Sequence, residues 1–276
     1  MIGRTGARRL APLLLAVAAG CVRAPPPDLS RNPAYLLAQV RRAQARVASC
    51  SGSARLSLSG LEVGGSLDAW VAAETSGRLR VDLFDFFGNP AATLVASGGR
   101  FALLDLREGV LYRGEDRPEV LSRIVSVPLG TRDLARVLCG SVAILEGQPV
   151  TAEPGDGAVL LEIAGPAGRQ VLAVEEEASI RRASFLPGPG GGKGWQAEFS
   201  VFRHPSGVRF PTEVGLTGGG AGLSLRWTDD LQVNVAIDGG LFLLEAPGGV
   251  RVIELGPDTS VPALGLPIRP ATPARS

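Results

Sequence analysis

Three cysteines and one histidine are the side chains of this 276-residue chain best suited to covalent or metal chemistry. Cys21 stands apart from the others. It follows a basic start (Arg4, Arg8, Arg9) and the apolar run LAPLLLAVAAG. A thiol in that setting is an alkylation site. Its sulfur can take a diacylglyceryl group as a thioether, and its amine, once freed, can be acylated. Each buried CH₂ is worth ~0.8 kcal/mol, so one 16-carbon chain contributes on the order of 10 kcal/mol to membrane anchoring. Cys50 and Cys139 are the remaining thiols. In an oxidising compartment they can join as a disulfide, or stand as two small buried thiols, and both readings remain open here. Neither lies in a C-x-x-C pair, which argues against a redox relay or a zinc site.

Other chemistry finds little support. His204 sits in Arg203-His204-Pro205-Ser206-Gly207, which reads as a turn. A single histidine supports neither a His-based triad nor a multi-histidine metal site. The glycine loop at 187–194 fails as a phosphate loop. Pro187 stands where the first glycine belongs, and Gly194 where Ser or Thr must bind magnesium. Glu175-Glu176-Glu177 reads as a solvated turn. The chain is therefore expected to be no enzyme, with no cofactor and no metal. The formal charge is +1 and falls to −2 without the three leader arginines, so nucleic acid is not an expected partner.

Ala18-Ala19-Gly20-Cys21 resembles a lipobox cleaved before Cys21. The division expected is a lipoprotein signal peptide (1–20), a lipidated cysteine with a Pro-rich tether (21–33), one domain (34–256) and a disordered Pro-rich tail (257–276). The leader's apolar run is too short for a stable spanning helix, and no later run is long enough to cross a bilayer. Val22, rather than Asp, follows Cys21 and favours the outer membrane, with the domain facing the periplasm.

The elements that must position any site are mostly strands. Apolar Leu36, Leu37, Val40, Ala43 and Val47 give residues 34–48 helical spacing, with Asn32 as cap and Pro33 in the first turn. From Ser53 the pattern alternates through about five strands to Gly114. The segments PEVLSRIVSV and TRDLARVLCG then read as short helices, the second capped by Thr131 and ended by Gly140. About six strands follow, from AVLLEIAG to LQVNVAI, and Val250–Leu255 is a last extended piece. The 37 glycines and 21 prolines supply the turns of such a β-rich chain.

This order resembles the LolA/LolB superfamily, and within it the LolB-like outer-membrane lipoproteins, over residues 34–256. The matching positions are Gly207, Phe210-Pro211, Asn234, Phe242, Leu244, Pro247 and Gly248, with the stretch from Arg78 to Gly114 and the helical pair ending at Gly140. The resemblance implies a mainly β fold with some α. It is a single half-open antiparallel β-barrel of about eleven strands, covered by a few helices, whose apolar interior takes acyl chains. It further implies a monomer that accepts acylated lipoproteins from a LolA-like periplasmic carrier and releases them into outer-membrane lipid. A lipid- or glycolipid-binding lipoprotein, or a structural envelope lipoprotein of the same fold, is the alternative.

Phe84, Phe86 and Phe87 cluster in DLFDFFGNP. Adjacent strand residues point to opposite faces, so one of Phe86 and Phe87 should be exposed. The resemblance makes this a membrane-insertion loop with Phe87 protruding. The bland reading packs Phe84 and Phe86 under the helices, with Phe87 over a barrel edge. Candidates for the acyl cavity are Leu56, Leu58, Trp70, Leu79, Val81, Leu83, Leu103, Phe199, Val201, Leu225 and Trp227, for each of which core packing is the bland reading.

Overall fold

The computed structural model describes residues 24–60, 65–120 and 129–256. The signal peptide, Cys21, most of the expected helix PEVLSRIVSV and the tail lie outside the described residues.

Asn32 caps the first helix, α1 (Pro33–Gln44), its Oδ1 accepting from Tyr35 N at 3.1 Å, and Pro33 opens it. Leu36, Leu37 and Val40 form its buried stripe. The chain then builds β1 (Ser49–Ser59), β2 (Gly65–Glu74), β3 (Leu79–Phe84), β4 (Pro90–Ser97), β5 (Arg100–Asp105) and β6 (Val110–Glu115) as an antiparallel meander. Helix α2 (Thr131–Leu138) follows. A second meander comprises β7 (Gln148–Pro154), β8 (Val159–Gly165), β9 (Gly168–Val174), β10 (Ile180–Pro187), β11 (Trp195–Arg203), β12 (Phe210–Gly218) and β13 (Ala221–Trp227). It returns to pair β13 with β1, so one sheet runs β6-β5-β4-β3-β2-β1-β13-β12-β11-β10-β9-β8-β7. The short β14 (Gln232–Val233) pairs with β1, and β15 (Arg251–Leu255) adds in parallel to β6.

Among the described residues the fold is mainly β with few helices, as expected, and forms one large, open, mostly antiparallel sheet of fifteen strands that is not a closed barrel and exceeds the eleven strands expected. Two of the extra strands are edges. β7 carries Pro149 and Pro154, which break a sequence pattern but suit an edge strand. LQVNVAI contributes only the two residues of β14, because Asn234 takes a left-handed φ of 61°. Its side chain bonds Ala48 N and Arg46 O, tying the end of α1 to the sheet.

Alternation puts Cys50, Ala54 and Leu56 of β1 on the same face as Leu225 and Trp227 of β13, beneath the helices. One continuous core fills that face from Val110 to Leu161. A smaller cluster covers the outer face, where Phe242 packs on Ala72 and Val95, with Trp70 beside it. The Arg78 guanidinium lies 4.8 Å from the Phe242 ring centroid.

The cap of α2 also differs from expectation. Thr131 is its first helical residue, and Asp116, fifteen residues upstream, accepts from Thr131 N (2.5 Å) and Arg132 N (3.3 Å). Gly140 ends the helix with φ +73°, and a Cβ there would lie 2.6 Å from Pro211 Cδ. That packing brings Cys139 to Cys50, with their sulfurs 2.9 Å apart, both buried and both free thiols. Burial pushes the Cys50 thiol well up, so thiolate is scarce once the domain is folded.

Two outcomes are expected. Asp116→Ala leaves two helix N–H groups without their acceptor and costs about 1 kcal/mol, read as a lower urea midpoint with unchanged m. Refolding in glutathione disulfide closes Cys50–Cys139 across about 90 residues, worth about 4–5 kcal/mol by chain entropy. Intact mass without reductant reads the loss of two hydrogens. The already folded dithiol resists both oxidation and alkylation.

Candidate lipid-binding face and aromatic tip

The strand directions give the sheet two rims. One collects the β3–β4 turn at 85–89, the β5–β6 turn at 106–109, the β10–β11 glycine loop and the β12–β13 turn. The other collects the β2–β3, β7–β8, β9–β10 and β11–β12 connections.

The first rim carries the aromatic tip. Asp85 wires the turn: its Oδ1 accepts from Phe87 N at 2.8 Å and Asn89 N at 2.9 Å, and its Oδ2 from Asn89 Nδ2 at 3.2 Å. Asp85 N donates to Asn89 O, and Gly88, at φ +82°, donates back to Asp85 O. The backbone hydrogen bond from Asn89 leads the contacts that hold the Asp85 carboxyl below its usual range. The wiring leaves both rings outside. Phe86 is 67% and Phe87 83% exposed, edge to face with centroids 5.3 Å apart. Phe84 ends β3 half-buried, opposite Asp68, and is not part of the protrusion. The expectation of one exposed ring rested on strand alternation, but Phe86 and Phe87 lie in the turn.

Of the cavity candidates, Leu56, Leu79, Val81, Leu83, Leu103, Phe199, Leu225 and Trp227 join one core cluster, with Leu58 packed at its margin. Two do not. Trp70 alternates with Leu67, Ala69 and Val71 and so faces the outer side, against the Phe242 cluster. Val201 takes φ +51°, which breaks the alternation after Phe199 and leaves it 51% exposed, while Phe202 turns toward the core. Sequence reading missed Leu67 and Leu94, which continue the same face. Their signal was alternation on β2 and β4, masked by alanines that are buried from both sides.

The candidate residues are packed against one another. Next to the tip, Leu56, Leu67, Val81, Leu83 and Leu94 each retain 5–9% exposure, whereas Leu79, Val71 and Ala73 farther along the strands retain none; Leu29, Leu37 and Val47 at the other end of the core retain 5–7%. A groove of about 480 Å³ lies on the other face of the sheet, among Arg55, Ser57, Glu198, Glu213 and Arg226. It is crossed by the Arg226–Glu213 ion pair at 2.8 Å and is too polar for an acyl chain.

The second rim is charged. Glu177 accepts from Arg46 Nη1 at 3.3 Å and contacts His204 Nε2 at 2.9 Å, and the histidine contact is the chief cause lowering its pKa. Glu175 pairs with Arg181 (3.3 Å) and Arg209 (3.4 Å), and Arg209 stacks on Phe202. His204 thus ends in a surface ion-pair cluster. The N-terminal segment meets the domain here. Leu29 is buried in the core, and Ala24–Pro27 border a hollow of about 280 Å³ with Gly157, Glu175, Glu176 and Arg209. No described helix is long and apolar enough to cross a membrane.

Asp85 gives a pH prediction. Its folded pKa is depressed, so its support for the turn is present above the unfolded value near 3.8 and is lost as pH falls through the lower folded value. Amide exchange at Phe87 and Asn89 should accelerate below that point and, in Asp85→Ala, at every pH.

No protein-family model matches the sequence, and no curated protein matches it. Solved structures do match. A LolA superfamily protein from Nitrosomonas europaea is 13% identical, with 76% of this chain and 96% of that chain covered and a TM-score of 0.53. A DUF1329 family protein from Desulfovibrio piger is 13% identical, with 78% and 98% covered and a TM-score of 0.52. A Vibrio parahaemolyticus domain named for outer membrane lipoprotein sorting is 10% identical, with 76% and 97% covered and a TM-score of 0.51. At these identities the likeness is one of architecture, and the chain has the fold of the LolA-superfamily structures.

Proposed function

We propose that this chain is an envelope lipoprotein, anchored through acylated Cys21, that handles acyl chains. In the finer form of this reading it accepts acylated lipoproteins and passes them to the outer membrane. The observation that carries the reading is the wired turn holding two phenylalanines in solvent at the margin of a continuous aliphatic face. Five hydrogen bonds among Asp85, Phe87, Gly88 and Asn89 keep those rings from folding back. Exposed aromatics of this kind partition into the boundary between headgroups and acyl chains. The aliphatic row from Leu56 to Leu94 lies next to them and offers an acyl chain aliphatic side chains to pack on. The fold shared with a domain named for lipoprotein sorting and with a LolA superfamily protein supports the same reading.

The packing of the face sets a condition. An acyl chain must displace core side chains, because those flanking the row are tightly buried. Binding is then expected to raise amide exchange around α2 while protecting β2 and β3.

The test uses the chain from Val22 onward, without the anchoring cysteine, and sedimentation with vesicles. Phe87→Glu should reduce vesicle binding about tenfold and leave stability within about 0.5 kcal/mol, since a solvent-facing turn residue adds little to the core. Loss of folding in that variant would place Phe87 in the core and sink the reading. Unchanged vesicle binding would remove the tip from it. Lipid extracted from the purified protein and identified by mass spectrometry separates a lipid or glycolipid binder from a lipoprotein acceptor.

A further inference from the structure

The tip and the described start of the N-terminal segment, Ala24–Pro27, lie at opposite rims and on different parts of the sheet. Phe86 and Phe87 cap the β3–β4 hairpin, on the rim reached by the C-terminal end of β1. Ala24–Pro27 lie against Gly157 of the β7–β8 turn, Glu175 and Glu176 of the β9–β10 turn and Arg209 before β12, all on the other rim. Along the strands the eleven residues of β1 span about 35 Å. Across the sheet, β2, β1 and β13 stand between β3 and β12. A domain standing on its charged rim carries the tip about 35 Å away from the bilayer beneath that rim.

The tether does not relieve this constraint. Ser30 N donates to Gln39 Oε1 at 3.1 Å, Gln39 Nε2 donates to Asp28 O at 3.2 Å, and Leu29 is buried. Only Val22 and Arg23 separate Cys21 from Ala24, and three peptide steps reach about 10 Å at full extension. An anchored Cys21 therefore keeps the charged rim near its bilayer.

The rims also differ in character. Phe86, Phe87, Leu106 and Leu186 expose large apolar surface on the tip rim. The anchor rim is built of ion pairs, Glu177 with Arg46, Glu175 with Arg181 and Arg209, and Arg203 with Asp229, and His204 Nε2 contacts Glu177 at 2.9 Å. Such a rim has little to insert into lipid, whereas the other has an aromatic wedge and no anchor.

We infer that the Phe86–Phe87 rim engages a lipid surface other than the bilayer that holds Cys21. The inference rests on the proposed reading of the tip as lipid-seeking and of Cys21 as the anchored residue. It assigns that tip to capture from the aqueous side rather than to discharge into the anchoring membrane.

The experiment takes the mature chain from Cys21, carrying Phe87→Trp, coupled through Cys21 to a maleimide phospholipid in phosphatidylethanolamine–phosphatidylglycerol vesicles. Cys50 and Cys139 are buried and stay out of the coupling. Brominated phospholipid, which quenches indole emission on contact, is placed either in the anchoring vesicles or in a second population. The same chain with Phe87 retained corrects for Trp70, Trp195 and Trp227. The expected result is quenching of about twofold by bromolipid in the second vesicles and none by bromolipid in the anchoring ones. Combined Phe86→Ser and Phe87→Ser changes should abolish docking of the second population. Quenching from the anchoring vesicles overturns the inference while leaving the tip lipid-seeking, and means that residues 24–28 leave their hollow. Quenching from neither population overturns it together with the reading on which it rests.

Discussion

The pairing of β1 with β13 is the contact on which the rest of the architecture depends. Each meander alone is a local structure of hairpins and can form from neighbouring chain. Only the register from Ala54↔Trp227 to Ser59↔Gly222 joins them into one sheet. It also aligns their inward faces, because Leu56 stands opposite Leu225 and Leu58 opposite Leu223. A slip of one residue would turn Arg55 and Ser57 into the core. The residues that hold this seam shut follow β13: Thr228 N donates to Ser53 O, Asp230 receives Ser53 N at 3.0 Å, and Asn234 receives Ala48 N. A long-range pairing of this kind forms late, since the chain between the two strands must order first.

Local pattern made much of this legible, and tertiary context hid the rest. Hairpins bounded by glycine were readable because turn chemistry and alternation agree there. β7 was not, because its two prolines read as loop and become acceptable only when the strand is known to be an edge. Trp70 was placed on the wrong side because β2 is buried on both faces: Ala72 and Val95 lie under Phe242, so alternation between apolar and polar disappears. Val201 escaped because a β-branched residue with positive φ is not foreseeable from type. The capping role of Asp116 is likewise a distance contact that no local motif announces. At the tip, the composition of DLFDFFGNP pointed to exposure, while the reason for it, the Asp85 side chain gathering the turn's N–H groups, came from the structure.

The tip itself runs against the economy of the fold. Burying a phenylalanine is worth about 1.5–3 kcal/mol, and two adjacent rings forgo that. They are not merely left over, since a turn of five residues is organised around one carboxylate that fixes their exit. Stability that the domain does not collect at this point is available to whatever covers the rings.

The same reasoning applies to the face beneath. A preformed acyl tunnel would leave aliphatic side chains in contact with water or void, and dense packing opposes that. Here the interior closes on itself, and the row beside the tip keeps only a few per cent of exposure. In the proposed reading, an incoming chain must replace side-chain contacts with its own, hydrocarbon for hydrocarbon, so the exchange is nearly neutral in hydrophobic energy and limited by movement of the cover. The exposed rings and the exchangeable interior meet at one rim. The opposite rim holds its charges in pairs and receives the N-terminal segment. In the proposed reading, that division gives the domain a direction, with apolar contact at one end and attachment at the other.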